Sequence, residues 1–245
     1  MKKNPIAIIG RAIAAGVVAG CIAAIFFLAV GRSTLDETIA FEEANATTNS
    51  AVDEADEAPA VEISRQTQAI GAVVASVLYG SLLGVVFGTV FTAVRHLLPA
   101  TGDLARSTLL AAVGFLSTVA LPAIKYPANP PGVGNPDDVN QRTITYITLV
   151  GAAIACAVGV LFVYRWLTNK TNRWTNYASA AGIGAACFVA LVVLWPANTA
   201  TVPDNYPNDL LWQFRFESMT TLAILWGGTG IGTGWLLGRN RTPDA

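Results

Sequence analysis

Long apolar runs alternate with short polar connections along the whole chain. Ala12–Val30, Ala69–Val94, Ser107–Ile124, Thr143–Tyr164, Tyr177–Pro196 and Ser218–Gly238 contain no Asp, Glu, Lys or Arg. About 18 such residues in a helix cross the roughly 30 Å hydrocarbon core of a bilayer. Lipid offers no hydrogen bonds to an open backbone, so helix is the conformation that satisfies each run internally. The pattern predicts an all-α, polytopic membrane helix bundle: six transmembrane helices forming a single integral membrane domain over residues 1–245, with the lipid bilayer as its first partner.

Positive charge sets the expected orientation. Lys2, Lys3 and Arg11 precede the first run, and Arg95, His96 and Arg106 lie between the second and third. Arg165, Lys170 and Arg173 fill the fourth-to-fifth connection, while Arg239 and Arg241 follow the last run. Short cytoplasmic loops retain the excess of Lys and Arg, so both termini are expected inside, with three outer loops. A re-entrant Ser107–Ile124 would put the basic 165–173 connection outside, against the same rule. The expected location is a bacterial-type plasma membrane, crossed several times.

The largest connection, residues 31–68, is read as an acidic outer loop. Leu35, Ile39, Glu42 and Glu43 fall at helical spacing and predict a short helix lying on the bilayer. Asn45–Ala60 has too little apolar content to bury a core and is expected to be disordered. Its Asp53, Glu54, Asp56 and Glu57 lack the glycine turn and ligand spacing of a calcium loop.

Composition agrees with the membrane reading: 53% of residues are hydrophobic and only 13% charged. A formal net charge of −1 excludes nucleic acid as a partner. Cys21, Cys156 and Cys187 all lie inside runs, without Cys-x-x-Cys spacing, and read as small packing residues. Val18-Ala19-Gly20-Cys21 resembles a lipoprotein cleavage box, but the apolar run continues past Cys21, so a retained first span is expected.

Glycine placement predicts packing faces. Gly80, Gly84 and Gly88 recur every four residues in the second run and make one smooth helix face for close approach. Gly227, Gly228, Gly230, Gly232, Gly234 and Gly238 crowd the last run. No run carries a central charged residue of the kind that marks proton relays. Ser76, Ser81, Thr89, Thr92, Thr118, Thr145 and Thr148 are candidates to line a polar pathway instead. No Gly-x-Ser-x-Gly or His-Glu-x-x-His is present. No enzyme activity, catalytic residue or permanently bound cofactor is expected.

Unusual polar chemistry gathers in the second and third outer loops. The second runs Lys125-Tyr126-Pro127-Ala128-Asn129-Pro130-Pro131-Gly132-Val133-Gly134-Asn135-Pro136-Asp137-Asp138, with Arg142 at the start of the next span. Its prolines restrict φ and stiffen it, and Asp138 is placed to cap the following helix. The third loop contains Val202-Pro203-Asp204-Asn205-Tyr206-Pro207-Asn208-Asp209-Leu210-Leu211.

These loops, together with Ile39-Ala40-Phe41-Glu42-Glu43, resemble the CbtA family of predicted cobalt transporter subunits. The strongest element of the likeness is the proline-rich motif Lys125, Tyr126, Pro127, Asn129, Pro130, Pro131, Gly134 and Arg142. The resemblance implies a membrane subunit of a cobalt uptake system, feeding cobalamin synthesis. It also implies a small membrane partner with a histidine-bearing tail, which fits a chain whose one histidine is His96.

Co²⁺ accepts carboxylate, carbonyl and water oxygens. Glu42, Glu43, Asp137, Asp204 and Asp209 lie on the expected outer side and are the candidate metal ligands, with Co²⁺ as transported ion rather than resident cofactor. The alternative is a non-transporting membrane scaffold or regulatory subunit.

Overall fold

The structure is a computed structural model that describes residues 4–49, 64–134, 138–168 and 170–239. Among these residues every regular element is helical. In chain order they are α1 (Pro5–Phe26), a π turn (Phe27–Gly31), α2 (Arg32–Asn49), α3 (Arg65–Val94), α4 (Asp103–Phe115), a second π turn (Leu116–Ala120), α5 (Leu121–Lys125), α6 (Val139–Leu167), α7 (Arg173–Leu194) and α8 (Asn208–Gly238). The acidic stretch at 50–63, with Asp53, Glu54, Asp56 and Glu57, lies outside the described residues, as do Asn135, Pro136 and Asp137.

Local chemistry starts several of these helices. The Asn4 side chain accepts a 3.0 Å bond from the Ile6 amide, with Pro5 in the first helical position. Ser64 does the same for the Thr67 amide at 3.2 Å, and Asn172 for Thr175 at 2.8 Å. Asp138 does not act as the expected cap: its backbone is already helical at φ −89°, ψ −5°, and its side chain makes no capping bond. A capping side chain folds back over the first turn only from an extended backbone.

Small residues bring α1, α3, α4 and α8 together. The buried face of α1 is Ala12, Ala15, Gly16, Ala19, Gly20, Ala23 and Ala24. The glycines of α3 lie against it: a Cβ on Gly84 would stand 2.7 Å from Ile13 Cα, and one on Gly88 2.9 Å from Ile9 Cα. Real Cβ atoms do not approach so closely, so glycine at these positions lets the two backbones meet.

The last helix uses glycine on two sides. Cβ atoms on Gly228 and Gly232 would run into Ala19 and Ala15 of α1, and those on Gly230 and Gly234 into Ala111 and Ser107 of α4. Helix α8 is thereby held between α1 and α4. Helices α6 and α7 pair with each other and join this group through α5 and the second π turn.

Among the described residues, five helices are long and apolar enough to cross a membrane: Pro5–Asn45, Gln66–Val94, Asp103–Lys125, Val139–Leu167 and Arg173–Leu194. They contain the first four expected runs and the fifth as far as Leu194. The sixth run lies within α8, whose glycines and threonines keep its mean hydropathy below that standard. The packing supplies the reason: Gly228, Gly230, Gly232 and Gly234 fit closely against α1 and α4, where close approach counts for more than hydropathy, while Ile231 and Trp235 stay exposed.

The first helix departs from expectation. Residues 35–43 do not form a separate helix on the bilayer; they continue α1 through the π turn as one 41-residue rod, Pro5–Asn45. At 1.5 Å per residue the rod is about 60 Å long, roughly twice the hydrocarbon thickness. Its far half therefore reaches beyond the lipid core and carries Phe41, Glu42 and Asn45 to the loops at that end.

Candidate functional site

Three separated stretches meet at the end of the rod. Phe41 packs edge-on against Tyr206, with ring centroids 4.8 Å apart. Asn205 Nδ2 donates to Asn45 Oδ1 at 3.1 Å. Gly132, at φ +75°, presents its backbone to Glu42, whose Cβ would lie 3.5 Å from a Cβ on that glycine. The positive φ favours glycine there.

The proline-rich loop is clamped from both sides. Tyr126 Oη donates to the Pro196 carbonyl at 2.7 Å. Arg215 of α8 donates from Nε to the Ala128 carbonyl and from Nη2 to Asn129 Oδ1, each at 3.3 Å. The Arg142 guanidinium lies over Gly134 (φ +111°), where a Cβ would be 2.8 Å from Nη1. A cavity of about 280 Å³ opens beside the loop, lined by Tyr126, Pro127, Asn129, Arg142, Tyr146 and Asn198 among others. Burial, and then the neighbouring Glu42 carboxylate, raise the Tyr206 phenol above its ordinary pKa. The loop motif thus braces α2, α6 and α8 against one another.

The candidate metal carboxylates surround this cap without converging. Glu42, Glu43, Asp204 and Asp209 are exposed, and Asp137 lies outside the described residues. Among the described residues, no three of His, Cys, Asp and Glu gather as a metal-holding group. Lys125 ends α5, while Pro130 and Pro131 shape the turn in which the Val133 amide bonds to the Pro130 carbonyl.

A different carboxylate is buried. Glu217 of α8 is 8% exposed and faces Thr34 of α2, which is 1% exposed. The Thr34 hydroxyl donates to Glu217 Oε1 at 2.9 Å, and Gln213 Nε2 donates to the same oxygen at 3.0 Å and to Thr34 Oγ1 at 2.8 Å. No cationic side chain pairs with Glu217 among the described residues. Gly31, in the first π turn, leaves space beside it: a Cβ there would be 3.8 Å from Oε2.

Below this group, the same face of α8 continues through Thr221, Leu225, Thr229 and Thr233 at four-residue steps. Thr229 and Thr233 are fully buried, with Ser107 of α4 nearby against Gly234. Thr229 Oγ1 has no hydrogen-bond partner among the described residues. The hydroxyls proposed from sequence to line a pathway are arranged otherwise. Ser76, Ser81, Thr89, Thr92, Thr118, Thr145 and Thr148 each donate to the carbonyl four residues back in their own helix.

Sequence reasoning missed Glu217 because the last run was trimmed at its first charged residue, one position before Ser218. Helical spacing carried the missing signal. Gln213, Glu217 and Thr221 lie on the same face as Leu225, Thr229 and Thr233.

Cys156 and Cys187 meet across the α6–α7 pair, where they line a cavity of about 210 Å³ with Ser117 and Leu121. Cys21 is exposed on α1.

A family model described as probable cobalt transporter subunit (CbtA) matches residues 6–238. Comparison with curated proteins and with solved structures gave no match. The match covers nearly the whole chain, and the chain belongs to the CbtA family.

Proposed function

We propose that this protein is the membrane-embedded subunit of a divalent-metal uptake system, with Co²⁺ as the ion carried and cobalamin synthesis as its destination. The observation that carries the reading is membership of a cobalt transporter subunit family over residues 6–238. Three buried polar residues of α8, Glu217, Thr229 and Thr233, spaced at multiples of four residues with Leu225 among them, support it.

In this reading α8 is the sixth span, packed against α1, α3 and α4, with Ile231 and Trp235 left exposed to lipid. Both termini lie in the cytoplasm of a bacterial-type plasma membrane, and the 31–68 segment is outside. Glu42, Glu43, Asp137, Asp204 and Asp209 raise the local concentration of arriving cations, an effect that salt screens beyond about 8–10 Å. A subunit implies partners. The fitting one is a small membrane protein that supplies the imidazoles this chain lacks. No catalytic chemistry is assigned.

One observation favours the alternative of a membrane scaffold. None of the most apolar stretch of α7 is buried within the chain, leaving a long face open to another helix. Both readings are tested in cells whose cobalamin synthesis is limited by cobalt entry. Cobalamin output that rises with this chain at nanomolar cobalt, alone or with the histidine-bearing partner, supports the transporter subunit. Output unchanged in both cases leaves the scaffold.

A further inference from the structure

We propose that Glu217, Thr34 and Gln213 form a cation-binding site within the bundle, through which the carried metal passes. Taking Co²⁺ as the cation rests on the transport reading above; the existence of the site does not.

Burial of the carboxylate is the starting point. Removing a carboxylate from water is costly unless hydrogen bonds and an opposite charge compensate. Here the hydrogen bonds are present: Oε1 accepts from the Thr34 hydroxyl and from Gln213 Nε2. The opposite charge is missing among the described residues. The basic residue nearest in sequence, Arg215, is turned away to Ala128 and Asn129 of the proline-rich loop. A bound cation supplies what the site lacks, and buried acids without partners in membrane proteins characteristically mark ion or proton sites.

The donor set suits a metal in transit. Glu217 supplies the charged oxygens and Thr34 a hydroxyl oxygen, neither of them thiolate, and Gln213 holds the pair in place through Nε2. Co²⁺ accepts such ligands, with water completing its shell. One carboxylate with neutral oxygens holds a divalent ion weakly, and a weakly held ion is able to leave. The π turn at Phe27–Gly31 adds to this: such turns interrupt regular α-helical bonding and occur frequently at functional positions. It sets Gly31 beside Oε2, so no side chain at position 31 stands against that oxygen, and the Phe27 ring lies next to the same spot. Further along the same face, the unpartnered Thr229 hydroxyl and buried Thr233 continue the polar surface.

Two measurements on the full chain test the site. In native membranes, a hydrophobic carbodiimide modifies buried carboxyl groups, and peptide mass spectrometry reads its addition at Glu217. Co²⁺ is expected to reduce modification at Glu217 several-fold, whereas K⁺ at matched ionic strength leaves it unchanged. Modification indifferent to Co²⁺ overturns the proposal. Where the reagent does not reach Glu217, equilibrium dialysis of the purified protein with labelled Co²⁺ decides. Glu217→Gln, nearly equal in size, is expected to lose bound metal several-fold, while Glu37→Gln, at an exposed position of α2, keeps it. Equal binding by Glu217→Gln and the parent protein overturns the site. A protected Glu217 in a chain that carries no cobalt into cells removes the transport reading and keeps the site. Cobalt uptake undiminished by Glu217→Gln removes the site and keeps the transport reading.

Discussion

The Thr34 hydroxyl donates to Glu217 Oε1 across 2.9 Å, joining two residues 183 positions apart in the chain. That bond ties the outward extension of the first helix to the last helix, just above the π turn. It also places a buried carboxylate where the first helix is least regular. Structure and candidate chemistry therefore coincide at one point.

Replacing Thr34 should expose how much the cluster contributes to stability. Thr34→Val keeps the shape but removes both the donor to Glu217 and the acceptor for Gln213. Loss of a partner for buried polar groups costs on the order of 1–3 kcal/mol. Thermal unfolding in detergent should show a lowered midpoint for Thr34→Val and a smaller loss for Thr34→Ser, which retains the hydroxyl.

Glycine positions should divide sharply by what surrounds them. A Cβ on Gly84 would enter the α1 backbone, whereas one on Gly182 of α7 meets nothing within 4 Å. Gly84→Ala should destabilise by about 1–3 kcal/mol as α1 and α3 are forced apart. Gly182→Ala should be neutral or stabilise by up to about 1 kcal/mol, because alanine is the better helix former. Unfolding midpoints of the two variants should move in different directions or by clearly different amounts.

Two tyrosines of the loop cluster at the end of the rod make an internal comparison. Tyr126 Oη bonds to the Pro196 carbonyl, whereas the buried Tyr206 hydroxyl has no partner among the described residues. Tyr126→Phe should cost about 0.5–1.5 kcal/mol, and Tyr206→Phe should leave stability unchanged or slightly raised. Denaturation of each purified variant compares them directly.

Much of this fold was legible because lipid imposes a simple rule: uncharged runs become helices. The spacing of Gly80, Gly84 and Gly88 likewise pointed to a close-packed face, and the structure sets that face on α1. Two features followed other physics. The outward half of the first helix buries Thr34 and Thr38 and half-buries Phe41 and Asn45, a face at helical spacing whose threonines and asparagine do not read as apolar. Charged Asp36, Glu37, Glu42 and Glu43 on the other positions made it read as a short helix on the bilayer rather than as a continuation of the first span. In α8, close packing against α1 and α4 put glycine where a lipid-facing helix carries larger apolar residues. The convergence of Glu42, Gly132 and Tyr206 depends on contacts between distant stretches, which no local pattern in a single sequence displays.

The proposed topology predicts reagent access. In a background with Cys21, Cys156 and Cys187 replaced by Ala, Val202→Cys should react with a membrane-impermeant maleimide in intact cells. Thr171→Cys should react only after permeabilisation. The opposite pattern contradicts the N-in, C-in arrangement, and equal access of both in intact cells contradicts an odd number of crossings between them.

Labelled Co²⁺ accumulation at nanomolar metal is the most direct test of the central claim. It should be followed in cells without their own cobalt importers, expressing this chain alone or together with a histidine-bearing membrane partner. Accumulation should rise above the empty-vector level in at least one of these cases and fall back with Glu217→Gln. Accumulation that stays at the empty-vector level in both, with the protein present in the membrane, contradicts a role in cobalt uptake.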